Sequence, residues 1–252
     1  SSPPPPPTQR QPQWTHATIP ILFYLFIYLF FPFPSAFPSV CPSDSHFRRS
    51  TAKQVCDLES YVTDMQWFPG ASKSNASGND VFAVSCSDGT FKIINRAGRV
   101  EKSVEAHRGA CISLRWNSDG TALVTAGEDG ALKVWSRNGM LRSTLEQRDS
   151  AIYCVSWGPD GDTILYGCGK ELFIKPINPG VKTVKWKAHD GVALRCDWSA
   201  LNSTIVSGGE DCRYKVWDCY GRLLYQSPPY DYAITSVAWN PSGEHFAVGT
   251  FN

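Results

Sequence analysis

Net charge is almost absent from these 252 residues, in which 24 Lys and Arg face 23 Asp and Glu. No basic surplus remains to track a phosphate backbone, so nucleic acid is not an expected partner. The nine cysteines include no CxxC pair, a spacing that suits neither a zinc site nor a compact disulfide framework and points to a reduced, intracellular chain. Several of them (Cys86, Cys111, Cys154, Cys196) fall inside apolar strand patterns, where a thiol acts as a small hydrophobe. There is no GxSxG elbow, and the GCG at 167–169 lacks the third glycine and the following helix of a nucleotide loop. With no metal-ligand cluster, cofactor loop or acid–base pair, neither an enzyme nor a cofactor nor a small-molecule substrate is expected. Long apolar runs are missing too. Ile21 to Phe31 gives eleven consecutive apolar residues between Pro20 and Pro32, well short of the about 20 that a spanning helix needs.

Residues 1–48 read as non-globular. From 19 to 43 they are almost entirely Phe, Leu, Ile, Tyr, Pro and Ser, residues whose codons can all be rich in pyrimidines. Unspliced or mis-joined sequence accounts for this composition, and a spliced message encoding Ile21 to Phe31 in frame would overturn that reading. Two alternatives stay open. One is a targeting segment, with Arg10 upstream and small residues at Ser35 and Ala36; the other is a disordered tail. Under the secretory alternative the triplets Asn75-Ala76-Ser77 and Asn202-Ser203-Thr204 would become glycan acceptors.

From Lys53 onward the chain repeats. AHRGACISLRWNSDGTALVTAGEDGALKVWS at 106–136 returns in register at 188–218, pairing His107 with His189, Thr125 with Ser207, Asp129 with Asp211 and Trp135 with Trp217, each 82 positions apart. A second series, Trp116, Trp157, Trp198 and Trp239, steps by 41. Trp67 lies 49 before Trp116, the surplus being the polar loop at 71–80. A period of about 40–45 residues with His early and Trp late marks the blades of a β-propeller. Within each unit, short alternating runs are separated by turn residues: Ile112, Leu114 and Trp116, then NSDG, then ALVTAG, then EDG, then LKVW. Four such strands make one blade. Asn138-Gly139 predicts a tight primed hairpin turn. The blades fall at about 62–104, 106–145, 148–187 and 188–226, with a half blade at 230–252. The third unit drops the signature, having Lys170 at the aspartate position and Pro176 at the tryptophan position.

His107, Thr125, Asp129 and Trp135, and likewise His189, Ser207, Asp211 and Trp217, suit a hydrogen-bonded chain inside a blade. The aspartate accepts from one ring nitrogen, the other ring nitrogen accepts from the hydroxyl, and the hydroxyl accepts the indole N–H. A hydrolytic triad is the competing reading, set aside because the group occurs twice in register and Thr replaces Ser in one copy. Trp67, Trp116, Trp157, Trp198 and Trp239 are expected to wedge between blades, each contributing about 1.5–3 kcal/mol on burial. Arg108, Glu128, Asp190 and Glu210 flank the His and Asp positions and are the candidate partner rim.

These motifs resemble the WD-repeat β-propeller family, with AH for the usual GH and WS or WD closing the third strand. GRVEKSVEAH, GTALVTAGEDG, GMLRSTL, WKAHDG and GEDCRYKVWDCYGR are similar to the first propeller of a subunit of intraflagellar transport complex B, over about residues 50–252. The resemblance implies an all-β WD-repeat propeller, incomplete at about four and a half blades of a seven-bladed ring. It also implies a non-catalytic scaffold in cytoplasm and cilium, with protein subunits of that complex as partners. Other propeller adaptors, such as a vesicle coat or a ubiquitin-ligase receptor, are the alternatives. An open set of blades exposes strand edges, so the isolated chain is expected to associate or to be poorly soluble.

Overall fold

The second strand of each whole blade is buried along nearly its entire length because both of its faces are covered. β6 (Ala122–Gly127) is buried at every residue, as is β14 (Ile205–Gly209), whereas the fourth strands β8 (Leu141–Gln147) and β16 (Leu223–Gln226) are largely exposed. This inside-to-outside gradient follows from four-stranded sheets stacked face to face, and it explains why strict alternation fades toward the inner strands. The computed structural model describes residue 56, residues 58–69 and residues 81–250. The readings made above for residues 1–48 and the loop at 71–80, with Asn75, lie outside the described residues.

Among the described residues there are eighteen strands and no helix. The first blade is β1 (Val62–Trp67), β2 (Val81–Cys86), β3 (Thr90–Asn95) and β4 (Val100–Glu105). The second comprises β5 (Cys111–Trp116), β6, β7 (Ala131–Ser136) and β8. The third comprises β9 (Ile152–Trp157), β10 (Thr163–Cys168), β11 (Glu171–Pro176) and β12 (Val184–Lys187). The fourth comprises β13 (Ala193–Trp198), β14, β15 (Tyr214–Trp217) and β16, and a final hairpin pairs β17 (Ile234–Trp239) with β18 (Phe246–Thr250). Each four-stranded sheet pairs its strands in chain order, all antiparallel. The first strands of successive blades lie side by side, β1 against β5, β5 against β9, β9 against β13 and β13 against β17.

Every first strand carries a bulge at its second residue. The register slips around Thr63, Ile112, Tyr153, Leu194 and Thr235. A bulge adds local twist and re-aims the residues that follow, so the fourth and sixth residues of β5, β9, β13 and β17 turn toward the preceding blade. Leu114 and Trp116 thus join Val81, Ala83, Phe91 and Ile93 of the first blade in one core. Val155 and Trp157 join Ala122, Val124, Leu132 and Val134 of the second. Cys196 joins Leu165, Leu172 and Ile174 of the third. Four apolar cores therefore lie between sheets, each shared by two blades, while Val84, Cys86 and Ile94 pack with Cys56 and Leu58 on the outer side of the first sheet.

The turn after the third strand differs from the expected primed form. At 136–139 the amide of Gly139 donates to the Ser136 carbonyl (2.9 Å) and the Ser136 amide donates to the Met140 carbonyl (2.8 Å), and only Gly139, not Asn138, has positive φ (72°). The loop is one residue longer than a two-residue primed turn: a type I turn whose glycine absorbs the left-handed step. Gly98 and Gly221 repeat the arrangement, donating to Asn95 and Asp218.

Candidate functional site

In the second blade His107 sits with its side chain fully buried. Its Nδ1 lies 2.9 Å from Asp129 Oδ1 and its Nε2 lies 2.8 Å from Thr125 Oγ1, which also accepts the Trp135 indole N–H at 2.8 Å. The fourth blade repeats this with His189, Asp211 (2.9 Å), Ser207 (2.8 Å) and Trp217 (2.9 Å). The donor order is forced. A carboxylate can only accept, so Nδ1 carries the proton of the neutral ring; Nε2 then accepts the hydroxyl proton, and the hydroxyl oxygen accepts the indole N–H. Burial pushes both histidine pKa values down, against the pull of Asp129 and Asp211, so the rings are held neutral. Burial raises the Asp129 pKa, but the Arg108 amide, the His107 ring and the Ala131 amide outweigh it and hold the carboxyl below the ordinary range. Thr125 and Ser207 are fully buried and each already accepts an indole N–H, so neither offers an oxygen to a substrate. The structure brings the eight residues together as two fasteners within blades.

Two further residues belong to each fastener. A Cβ at Gly127 would lie 2.3 Å from His107 Nδ1 and one at Gly209 would lie 2.8 Å from His189 Nδ1, so the strand must be bare where the ring lies on it. Lys133 and Lys215 donate to the carbonyls of Ala106 (2.5 Å) and Ala188 (2.7 Å), just before each histidine. The signal was available, since both pairs stand 82 apart like the others.

The third blade uses different chemistry at the same positions. Arg148 stands 41 after His107 and Tyr166 stands 41 after Thr125. The Arg148 guanidinium donates to the Tyr166 hydroxyl at 2.7 Å and lies 4.5 Å above the Phe173 ring. Tyr166 stacks on Phe173 with centroids 4.8 Å apart and planes at 5°. Burial drives the Tyr166 pKa up to about 12, against the pull of Arg148. Glu146 closes the group, meeting Arg148 at 3.1 Å and Lys175 at 2.7 Å.

Trp116 and Trp157 are buried between blades, and Trp198 and Trp239 are half-buried against the cores they share with the preceding sheet. Trp67 departs from the expectation. It is 41% exposed and meets Phe82 of its own sheet at 5.0 Å, because no described blade stands on the side toward which these rings lean. Another contact recurs beside the tryptophans. Gln66 Oε1 accepts the Trp116 amide (2.6 Å), Ser156 Oγ accepts that of Trp198 (3.3 Å) and Asp197 Oδ2 accepts that of Trp239 (2.7 Å). The fifth residue of each of these first strands thus latches the next blade.

At the rim, Arg108, Glu128, Asp190 and Glu210 are all exposed. Their roles differ. Glu128 Oε2 accepts the Ala110 amide and Glu210 Oε2 accepts the Val192 amide, both at 3.0 Å, pinning the loop that carries each histidine. Asp190 meets Lys187 at 2.7 Å. Among the described residues no group of His, Cys, Asp and Glu could hold a metal ion, and no disulfide joins the described cysteines.

The "WD domain, G-beta repeat" family matches residues 98–136 and 180–218, the stretches that hold the two histidine fasteners. The chain is similar to the intraflagellar transport protein 80 homologs of Rattus norvegicus and Mus musculus, at 55% identity over 195 residues, 76% of this chain. It spans 25% of the length of those relatives. It is also similar, at 34% identity over 82 residues, to a diphthine methyltransferase homolog of Dictyostelium discoideum, covering 27% of this chain and 22% of that protein. Four-stranded antiparallel sheets, a His–Thr/Ser–Asp–Trp chain recurring at the repeat distance, and two matched repeats agree in placing WD repeats in this chain.

Proposed function

We propose that the chain serves as a non-catalytic scaffold in intraflagellar transport, in cytoplasm and cilium, with protein subunits of the transport complex as its partners. The observation that carries this is the 55% identity to the intraflagellar transport protein 80 homologs, over a span three quarters the length of this chain. The buried polar groups of the two histidine fasteners support it, because they hold strands together within blades and leave the outward faces for recognition. The rim of Arg108, Glu128, Asp190 and Glu210 is the proposed contact face. Within it Arg108 and Asp190, the latter paired with the exposed Lys187, are the recognition charges, since the carboxylates of Glu128 and Glu210 are spent on loop amides. The side chain of Asn202 weighs against a secretory route. Its Nδ2 donates to the Gly243 carbonyl and its Oδ1 accepts from Thr204, so a glycan on Nδ2 would crowd a contact between the fourth blade and the final hairpin.

Affinity purification of the tagged chain from ciliated cells tests the reading. Co-elution of transport-complex subunits supports it; recovery of vesicle-coat or ubiquitin-ligase subunits in their place overturns it. Arg108→Glu together with Asp190→Lys is expected to reduce that co-elution while leaving the thermal midpoint unchanged, and undiminished capture removes the rim from the proposal.

A further inference from the structure

Charged side chains are unusual on the first strands of a stack of blades, yet four converge there. Asp64 is on β1, Arg115 on β5, and Arg195 and Asp197 on β13. The Asp64 side chain is 1% exposed, and its Oδ2 alone takes four donors: Ser113 Oγ (2.8 Å), the Leu114 amide (3.3 Å), Arg115 (2.6 Å) and Arg195 (3.4 Å). Oδ1 takes the amide of Met65 at 3.0 Å. Arg195 also reaches the Thr63 carbonyl, at 3.4 Å. The first three donors come from the second blade. Arg195 comes from the fourth, 131 residues away in sequence, with two whole blades between.

A carboxylate removed from water costs several kcal/mol unless donors replace its solvation. Here the donors outweigh that burial: despite it, Arg115, Arg195, Ser113 and the Leu114 amide hold the Asp64 pKa below the ordinary carboxylate value. Asp197, by contrast, is a neighbour latch: it takes Ser156 Oγ (3.1 Å) from the third blade and the Trp239 amide from the final hairpin. The Arg195–Asp64 contact is therefore of a different kind from the latches, which all join consecutive sheets.

We propose that Asp64, Arg115 and Arg195 form a clamp that couples the first blade directly to the fourth, so that the four blades open as one unit rather than one after another. Repeat arrays with nearest-neighbour contacts alone lose cooperativity with distance and fray from their ends. A contact that skips two repeats removes that freedom. It also fixes how far the first strands can separate, since a guanidinium and a carboxylate must stay within reach.

Hydrogen exchange on the full chain, read peptide by peptide, tests the clamp. In Asp64→Asn, amides of β13 are expected to exchange at least about tenfold faster along with those of β1, the scale of coupling between residues in one ionic network. If acceleration stays within β1 and β5, the clamp is refuted. Should Asp64→Asn fail to fold, Arg195→Gln serves, because Asp64 keeps its three donors from the second blade. That variant is expected to speed exchange in β1, and unchanged β1 protection overturns the proposal. Ser156→Ala is the control for a neighbour latch and should affect only the third and fourth blades.

Discussion

The second and third blades solve one packing problem in two ways. Where the second blade places neutral His107 on the Thr125 hydroxyl, the third places charged Arg148 on the Tyr166 hydroxyl. The histidine chain ends on a tryptophan indole; the arginine group ends on the face of Phe173 and on Glu146. Both satisfy a buried polar centre, but they divide the work differently. In the second blade hydrogen bonds fix the geometry and small residues leave room for the ring. In the third, a large stacked aromatic pair fills the volume and a cation lies across it. The position demands a hydrogen-bonding partner for a buried hydroxyl, an acceptor in His107 and a donor in Arg148, and the residue type is free so long as that demand is met.

The comparison can be broken most forcefully at Tyr166. Tyr166→Ala empties the space of a fully buried ring and is expected to cost about 3–5 kcal/mol, read from chemical denaturation. Tyr166→Phe keeps the stack and should cost no more than about 1.5 kcal/mol; equal losses would show that the hydroxyl, not the ring, carries the third blade. His107→Ala and His189→Ala come next, each about 2–4 kcal/mol, because each strands a buried hydroxyl and a carboxylate. If either is neutral, its blade is held by packing alone, like the third.

Acid sharpens the contrast further. The folded-state pKa values of His107 and His189 lie below the ordinary value of 6.5. The unfolded chain therefore binds protons first as pH falls through that value, and stability declines from there down to the folded pKa. Loss of the thermal midpoint below pH 6.5 should shrink in the His107→Phe, His189→Phe double variant, and an unchanged acid slope would contradict it. The smallest effect is expected at Cys212, which stands where the second blade has Gly130 and adopts φ 59°. Left-handed backbone costs a side chain about 1 kcal/mol, so Cys212→Gly should raise stability by up to that amount in a denaturant titration.

The 41-residue step made the sheets and the two histidine fasteners legible, because each of those residues has to sit at one place in every strand that uses it. The same arithmetic reaches Lys133, Lys215, Gly127 and Gly209, which are silent only if one looks solely for hydrogen-bonding side chains. Arg148 and Tyr166 were hidden by chemistry, since neither resembles the His or Thr that it replaces. The turn at Gly139 was misassigned because Asn-Gly suits two loop lengths, and the choice between them depends on the strand pairing around it. Asp64 and Arg195 were out of reach altogether. Their positions on the first strands follow no repeat in charge, and only the stacking of whole blades brings them together.

Because four of the apolar cores are shared by two consecutive sheets, the seams that look natural on paper are the worst places to divide this molecule. A cut between two blades splits oil from oil and bares two half-interiors to water; a cut within a turn on the outer edge bares almost nothing. The module that duplication could copy without penalty is accordingly offset from the visible sheet: the back of one and the front of the next, inherited together.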